Sequence, residues 1–223
     1  MRPFDTGPVR RTYDAVAEEY AAAFGDDLER LPLDRQVLDD VAGAAIPGLA
    51  MVDLGCGPAQ VGGYLEAAGK RVIGVDISLQ LLAVARRRNI TVPFVCGDIR
   101  SLPLRDQSCG GVVAFYSLPF LPRPLLPVAM AEIRRVLAPG GTIAVATHLG
   151  EGELRGANEW MGHQVEPLVV VLYTSDELEQ AVVEAGFVVD TARFREPLPH
   201  EHQGQRIYLT AHRPRTDPQP AGA

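Results

Sequence analysis

The sequence predicts an α/β protein built on a doubly wound, mostly parallel sheet with helices on both faces. Short apolar segments typical of buried strands alternate with amphipathic helical segments between residues 50 and 148. Three of the strands end in or beside an aspartate, which places carboxylates along one edge of the sheet. After residue 174 the pattern changes to one helix and two alternating strands, so we expect an antiparallel end to the sheet.

A glycine-rich turn follows the first of these strands. The strand carries Asp53, and the turn places Gly55 and Gly57 directly before a helix. Glycine removes the side chains that would hold a ligand away from the main chain. A dinucleotide pyrophosphate prefers free N–H groups and a third glycine here, whereas this turn has Pro58, which lacks an N–H, and Ala59. The turn therefore favours S-adenosylmethionine, a cationic nucleoside, over NAD.

The same turn resembles the first motif of the class I S-adenosylmethionine-dependent methyltransferases, which reads as an acid, a spacer and two glycines separated by a spacer. The resemblance covers residues 10–148 and includes a helix ending in EIRRVL, a Pro-Gly-Gly turn and an apolar strand. It implies a Rossmann-like, seven-stranded sheet in the order 3-2-1-4-5-7-6, with the last strand pair antiparallel. It also implies that the cofactor is S-adenosyl-L-methionine, that the product is S-adenosyl-L-homocysteine and that the acceptor is a small molecule.

The cofactor site is predicted along the carboxyl ends of the strands. Asp76 ends the second strand, 21 residues after Gly55, where a carboxylate can accept both ribose hydroxyls; an N-terminal role in the next helix is the alternative. The resemblance implies that Asp98 accepts from the adenine amino group and that Ile99 packs on the ring. The predicted cofactor-binding residues are Tyr13, Tyr20, Asp53, Gly55, Gly57, Asp76, Ile77, Gly97, Asp98, Ile99, Tyr116 and Ser117.

The segment from about residue 8 to 46 is predicted to form helices that cap this site. Tyr13 and Tyr20 match a Tyr-Asp-x-x-Ala-x-x-Tyr pattern that covers the cofactor in methyltransferases that resemble this chain. Packing on the sheet edge is the alternative for the apolar stripe of the same helix.

The acceptor is expected beneath a polar, glycine-rich insert at residues 149–166, which we interpret as a lid. Trp160 in this insert predicts either a flat apolar wall for the acceptor or a side chain that packs the insert onto the sheet. The predicted substrate-binding residues are Trp160, Phe120, His163 and His200.

Histidines are the candidate general bases. Methyl transfer depends mainly on positioning, and a base helps when the acceptor is a hydroxyl or an acidic carbon. His148, at the end of the fifth strand, and His163, in the insert, are predicted to lie over the methyl group. No metal site is predicted, because His200 and His202 lie in a polar loop without a clear third ligand.

Composition excludes several other classes of protein. A net charge of -7 without a long basic run argues against a nucleic-acid partner. The longest apolar run, residues 168–173, is too short to span a bilayer, so no membrane partner is expected. Three cysteines without Cys-x-x-Cys spacing favour a reducing cytoplasm. We predict one domain over residues 1–212, as a monomer or homodimer, and a disordered tail over residues 213–223.

Two alternative functions remain open at this point. A protein of this fold could bind S-adenosylmethionine or its product as a structural ligand, serving as a scaffold or catalysing a rearrangement, because no histidine is an unambiguous base. An NAD-dependent oxidoreductase is the other alternative, which Pro58 and Ala59 disfavour.

Overall fold

A computed structural model describes residues 5–88, 91–199, 201 and 204–216 of the chain. Its seven-stranded sheet consists of β1 Ala50–Leu54, β2 Val72–Asp76, β3 Phe94–Cys96, β4 Cys109–Phe115, β5 Leu137–His148, β6 Val188–Arg195 and β7 Arg206–His212. The strand order is 3-2-1-4-5-7-6, in which β1 to β5 are parallel and β7 is antiparallel to both of its neighbours. The predicted fold class and strand order are confirmed.

Helices cover both faces of this sheet. Within the described residues they are α1 Gly7–Ala15, α2 Ala17–Phe24, α3 Pro32–Ala44, α4 Gln60–Ala67, α5 Leu79–Arg87, α6 Leu126–Val136 and α7 Ser175–Glu184. Helices α3 and α4 pack against one face, and α6 and α7 pack against the other. Helices α1 and α2 rest on α5, beside the sheet. In the described part of the chain, no helix is both long and apolar enough to cross a membrane.

The central strands are apolar throughout because they are covered on both faces. Every residue of β4 is buried, as are four of the five residues of β1. A strand enclosed in this way shows no alternation between apolar and polar residues. Asp53 is therefore an ionisable side chain inside an otherwise apolar strand, and its burial needs a functional or structural reason.

Three elements differ in extent from the sequence prediction. The first helix divides at Val16, where φ is -106° and ψ is 12°, into α1 and α2. The apolar pattern predicts the third strand from Thr91 to Val95, but β3 begins at Phe94, because Pro93 cannot donate to the β-ladder. β5 begins at Leu137, which pairs with Cys109 before the Pro-Gly-Gly turn.

The ordered chain extends beyond the predicted domain end. The sequence assigns Arg213 to the disordered tail, but this residue is only 6% exposed. Its guanidinium donates to the carbonyl oxygens of Arg134 at 3.1 Å and Leu137 at 2.8 Å, which fixes it to the end of α6. Residues 217–223 of the predicted tail lie outside the described residues.

The insert after β5 consists of two short antiparallel strand pairs, Glu153–Arg155 with Val169–Val171 and Glu159–Trp160 with His163–Gln164. It is fastened to the N-terminal helices. The Thr12 hydroxyl donates to the Glu166 carbonyl at 2.9 Å, and Arg11 forms an ion pair with the Glu166 carboxylate. The insert and α1 therefore form one cover over the carboxyl edge of the sheet.

Candidate active site

A cavity of about 650 Å³ lies at the carboxyl ends of the parallel strands, next to α1 and α2. All twelve predicted cofactor-binding residues line it, as do His148 and Phe120. Parallel strands that end at one edge bring these residues together from segments far apart in the sequence. His200 lies outside the described residues.

The glycine turn forms the floor of the cavity. Gly55 has φ of 70° and Gly57 has φ of 52°, a backbone region that side-chain-bearing residues rarely adopt. A Cβ on Gly55 would lie 2.4 Å from the Cβ of Ser117, so this position admits glycine alone. A Cβ on Gly57 would meet nothing nearer than a Tyr20 ring carbon at 3.9 Å. The main chain at Gly57 is thus open to a ligand.

Asp76 is fixed at the wall of the cavity by two backbone donors. Its carboxylate accepts from the Gly57 N–H at 2.9 Å and from the Ser78 N–H at 2.8 Å. Burial raises the pKa of Asp76, and these hydrogen bonds oppose that shift. The next helix is capped by the Ser78 hydroxyl, which accepts from Leu81 N–H at 3.1 Å. A capping role for Asp76 itself is therefore unnecessary.

Asp53 is the most enclosed of the three strand-end acids. It is 2% exposed, and its carboxylate accepts from the Gly62 N–H at 2.9 Å. Burial raises the pKa of Asp53 to about 7, and the single backbone hydrogen bond only partly offsets this. A cation placed in the cavity would lower that pKa again.

Asp98 differs because it has a permanent cationic partner. Its oxygens accept from the Arg100 guanidinium, with Nε at 2.9 Å and Nη2 at 2.5 Å. Burial opposes ionisation, but the hydrogen bonds from Arg100 outweigh it and lower the pKa of Asp98. Asp98 thus lines the cavity as an ionised acceptor.

Aromatic rings close the cavity on the side of α1 and α2. The Tyr13 ring is edge-on to Tyr20 at 5.3 Å, to Phe120 at 5.5 Å and to Trp160 at 5.6 Å between centroids. Tyr13, Tyr20 and Phe120 line the cavity, whereas Trp160 stands behind the two tyrosines. The structure thus places Trp160 in the cover, not in a wall that an acceptor would touch.

His163 is also placed outside the cavity, contrary to the prediction that it lies over the methyl group. Its Nε2 lies 3.1 Å from a Glu19 oxygen, and both side chains are largely in solvent. The short hairpin pairs His163 directly with Trp160, so both side chains lie on one face and contact α2, His163 at Glu19 and Trp160 at Tyr20. His148 remains as the predicted base that lines the cavity.

A buried polar network occupies the end of the cavity near β7, and sequence reasoning missed it. It joins Asp34 from α3, Tyr116 after β4 and Tyr208 from β7, with Arg195, Glu201 and Arg206 around them. Asp34, Tyr116, Glu201 and Arg206 line the cavity. The available signal was a charged residue at the start of an apolar strand, Arg206, and an acid in the first turn of α3.

Comparison with known proteins explains this arrangement. A family model described as a methyltransferase domain matches residues 52–145. The chain is 34% identical over 143 residues to a malonyl-[acyl-carrier protein] O-methyltransferase of Serratia marcescens, covering 63% of this chain and 55% of that protein. These matches and the seven-stranded fold support a class I S-adenosylmethionine-dependent methyltransferase.

Other methyltransferases show the same relationship. A demethylmenaquinone methyltransferase of Renibacterium salmoninarum is 31% identical over 149 residues, covering 61% of this chain and 62% of that protein. These matches span little more than half the length of each relative. The fold resembles that of the CcbJ methyltransferase of Streptomyces caelestis, with a TM-score of 0.70, 19% identity and coverage of 95% and 100% of the two chains.

The cavity wall contains buried polar atoms that a bound ligand could satisfy. Among the described residues, the Ser117 hydroxyl and the Gln60 Oε1 are buried in the cavity wall without a hydrogen-bond partner. Buried polar atoms of this kind are costly unless a ligand or water satisfies them. Gln60, the first residue of α4, was not predicted; its place directly after the glycine turn was the signal.

Proposed function

We propose that this protein transfers the methyl group of S-adenosylmethionine to an O, N or C atom of a small-molecule acceptor. The observation that carries the proposal is the convergence of Asp53, Asp76 and Asp98 with the glycine turn on one cavity. The described lining contains six carboxylates against two arginines, namely Asp27, Asp34, Asp53, Asp76, Asp98 and Glu201 against Arg30 and Arg206. This excess of negative charge suits a sulfonium and disfavours the phosphates of NAD.

The residues of the cavity divide the work of holding the cofactor. Asp76 would accept from the ribose hydroxyls, and Asp98 with Ile99 would bind the adenine. Ser117 and Gln60 would satisfy the polar groups of the methionine part, for which they have unpaired buried atoms. Bound S-adenosylmethionine supplies an already activated methyl group, so the protein's contribution is alignment and the exclusion of water.

Tyr13 and Tyr20 supply that exclusion. Both line the cavity, and Trp160 backs both rings from the insert. The cover made by α1, α2 and the insert must therefore open for the cofactor to enter, because it spans the cavity from the N-terminal helices to the hairpin. His148, Phe120, Tyr116 and Arg206 would face the acceptor.

The identity of the acceptor does not follow from similarity. The two relatives differ in acceptor by their names, malonyl-[acyl-carrier protein] in one case and demethylmenaquinone in the other. One fold supports many acceptors, because the segments that bind them vary. A monomeric or homodimeric state and a cytoplasmic location also stay predictions.

Titration calorimetry with S-adenosylmethionine and S-adenosylhomocysteine, with NADH as the negative ligand, tests the cofactor assignment. We expect saturable binding of both sulfur nucleosides and none of NADH. Transfer of tritium from the labelled methyl group into a metabolite extract then tests the reaction. Absence of cofactor binding would refute the proposal, whereas turnover without adenosylhomocysteine formation would favour a scaffold or a rearrangement catalyst.

A further inference from the structure

We propose that Tyr116, Tyr208 and Asp34 form a proton relay that removes the proton of a neutral hydroxyl acceptor during methyl transfer. The inference rests on the proposed function and adds the acceptor class and the path of the proton. It comes from the buried network at the β7 end of the cavity. Of the residues in that network, Tyr116 alone was among the predicted site residues.

The three groups form a continuous hydrogen-bonded path from the cavity into the protein. The Tyr116 hydroxyl lies 3.0 Å from the Tyr208 hydroxyl. Tyr208 in turn donates to Asp34 Oδ1 at 2.6 Å. Tyr116 and Asp34 line the cavity, whereas Tyr208 is fully buried behind them. The path therefore begins at the cavity wall and ends on a carboxylate that is 1% exposed.

The direction of each hydrogen bond in this path is determined by chemistry. Arg195 Nε can only donate, and it donates to the Tyr208 oxygen at 2.8 Å. Tyr208 has one hydroxyl proton, and it donates that proton in the short hydrogen bond to Asp34. Tyr116 must then donate its own proton into this network, to Tyr208 at 3.0 Å or directly to Asp34 Oδ2 at 3.4 Å. The remaining lone pairs of the Tyr116 hydroxyl are left free to accept a proton from a bound acceptor.

Tyr116 is held at the junction of the cofactor wall and the acceptor end. It follows β4 with φ of 57°, a region that costs a non-glycine residue energy and that is concentrated at functional sites. Its N–H donates to the Ala146 carbonyl at 2.8 Å, and its ring centroid lies 5.4 Å from that of His148. The next residue, Ser117, belongs to the predicted cofactor site.

The transfer step balances through this relay. The acceptor oxygen forms a bond to the methyl carbon, the carbon–sulfur bond breaks, and its electron pair stays on sulfur. The acceptor proton moves to Tyr116, the Tyr116 proton to Tyr208 and the Tyr208 proton to Asp34. Asp34 leaves the step as a neutral acid and returns its proton to water after product release.

The surrounding charges support passage of a proton without a stable tyrosinate. Burial raises the pKa of Tyr116 and of Tyr208 well above the usual value, so neither is held as an anion. Asp34 is faced by Tyr116, Tyr208, Arg195 at 3.6 Å and the Glu201 carboxylate. Burial raises its pKa, while Tyr208 and Arg195 oppose the shift, so the carboxylate is a stronger base than an exposed one.

The charged side chains around the relay balance one another. Glu201 lines the cavity, and burial opposes its ionisation, yet hydrogen bonds from Arg195 hold its pKa at about 2. Arg195 pairs with Glu201 and lies 3.6 Å from Asp34, and Arg206, which lines the cavity, lies 3.9 Å from Glu201. Two arginines thus balance the two carboxylates. An acceptor carboxylate has no proton for the relay to remove, whereas a neutral hydroxyl has one.

A panel of phenols tests the acceptor class. Full-length protein is incubated with tritiated S-adenosylmethionine and with 4-methylphenol, 4-nitrophenol or benzoate, while calorimetry reports cofactor binding separately. We expect labelled ethers from the phenols and little label in benzoate. No cofactor binding would refute the proposed function, whereas cofactor binding with no ether from any phenol overturns the relay's acceptor class.

Two variants test the relay itself, each with a matched control. Tyr208→Phe and Asp34→Asn should lower kcat on 4-methylphenol about 100-fold, with cofactor affinity unchanged within about threefold. On 4-nitrophenol at about pH 9 the loss should fall below about fivefold, because that phenol is already ionised. Tyr64→Phe and Asp39→Asn remove a second tyrosine–aspartate hydrogen bond, 2.9 Å long and exposed, and should change neither rate. If the two variants lose kcat equally on both phenols, or lose none, the relay is overturned. It is also overturned if kcat depends on His148 and on neither Tyr208 nor Asp34.

A spectroscopic readout separates the relay from a merely structural role. In protein saturated with S-adenosylhomocysteine, the absorption band of bound 4-nitrophenol should move toward that of nitrophenolate, because its hydroxyl donates to Tyr116. Tyr116→Phe, which keeps the ring and its packing, should abolish that movement, and Tyr208→Phe should reduce it. The unfolding temperature shows whether the Tyr116→Phe protein is folded as the parent is. If it is, and bound 4-nitrophenol absorbs as it does in the parent protein, the inference is overturned.

Discussion

At the scale of single residues, three aspartates at neighbouring strand ends have three different hydrogen-bonding environments. Asp98 is ionised by Arg100, Asp76 is held by two backbone N–H groups, and Asp53 is buried with one. Burial penalises the charged form, and each partner offsets that penalty to a different extent. Under the proposed function, these environments suit Asp98 to adenine, Asp76 to ribose and Asp53 to a cationic centre.

Asp76→Ala should weaken S-adenosylmethionine binding by about 1 to 3 kcal/mol, or roughly ten- to a hundredfold. The substitution removes both ribose acceptors and leaves the Gly57 and Ser78 N–H groups without their present partner. Calorimetry measures the affinity, and Asp39→Asn on the surface of α3 serves as the control. An Asp76→Ala protein with parental affinity would show that the ribose lies elsewhere.

Asp53 predicts a pH dependence of cofactor binding. In the free protein its pKa is raised to about 7, so the carboxyl is largely protonated below that pH. A sulfonium favours the ionised form, so binding expels the proton at low pH. Affinity should therefore rise with pH from about 5.5 to 7, by at most about tenfold per unit.

Asp53→Asn should flatten this profile, which calorimetry across the same pH range can check. The stability of the cofactor-free protein should change with pH in the opposite direction to cofactor affinity. Because the folded pKa lies above the unfolded value, the cofactor-free protein should lose stability as pH rises from about 4 through about 7. A profile that keeps its slope in the Asn variant would assign the dependence to another group.

At the scale of elements, the cover of the site is assembled from two distant parts of the chain. Helices α1 and α2 supply Tyr13 and Tyr20, and the insert supplies Trp160, whose ring lies 5.6 and 5.8 Å from theirs. The ion pair and hydrogen bond to Glu166 hold the two parts together. The Arg11–Glu166 ion pair is about half exposed, so it contributes little, and the aromatic contacts and the part-buried Thr12 hydrogen bond should dominate.

Trp160→Ala should therefore lower cofactor affinity about three- to tenfold, as expected for the loss of two aromatic pairs. The only tryptophan of the chain should also report cofactor binding by its fluorescence. Phe194→Ala, which removes an aromatic ring that is 49% exposed, is the control for loss of ring area. Loss of acceptor turnover with unchanged cofactor affinity would restore the interpretation of Trp160 as an acceptor wall.

At the scale of the whole molecule, the antiparallel end of the sheet brings the last described segment back to the centre. β7 lies between β5 and β6, so Arg206 opposes His148 at the site, and the other end of β7 reaches the Pro-Gly-Gly turn. There the Arg213 N–H donates to Gly141, and its guanidinium donates to Leu137. One strand, β7, thus runs from the active-site end of the sheet to its opposite end.

Truncation after His212 should lower the free energy of unfolding by about 2 kcal/mol or more, because charged and backbone hydrogen bonds of Arg213 are lost together. Truncation after Thr216 keeps these bonds and should leave stability nearly unchanged. Urea unfolding of the two truncated proteins measures the difference. Equal midpoints would mean that Arg213 contributes no net stability.

The family resemblance implied the strand order, whereas the sequence by itself determined the fold class and the residues expected at the carboxyl ends of the strands. Those features depend on local patterns: apolar runs covered on both faces, glycines in a turn and acids at strand ends. The carboxyl ends of parallel strands lie at the same edge of a sheet. A residue that directly follows such a strand in the sequence is therefore expected at that edge. All twelve predicted cofactor residues line the cavity for this reason.

Only the tertiary structure decided the acceptor side. Asp34, Tyr116 and Tyr208 come from three elements, and Asp34 and Tyr208 are 174 positions apart in the sequence. No period or motif links them, because their contact follows from how α3 packs across β7. Likewise, Trp160 and His163 pair directly across a short hairpin and share one face, yet Trp160 packs on the rings of Tyr13 and Tyr20 while His163 meets Glu19. Side-chain direction in a short irregular insert is set by its packing partners, which a sequence alone does not name.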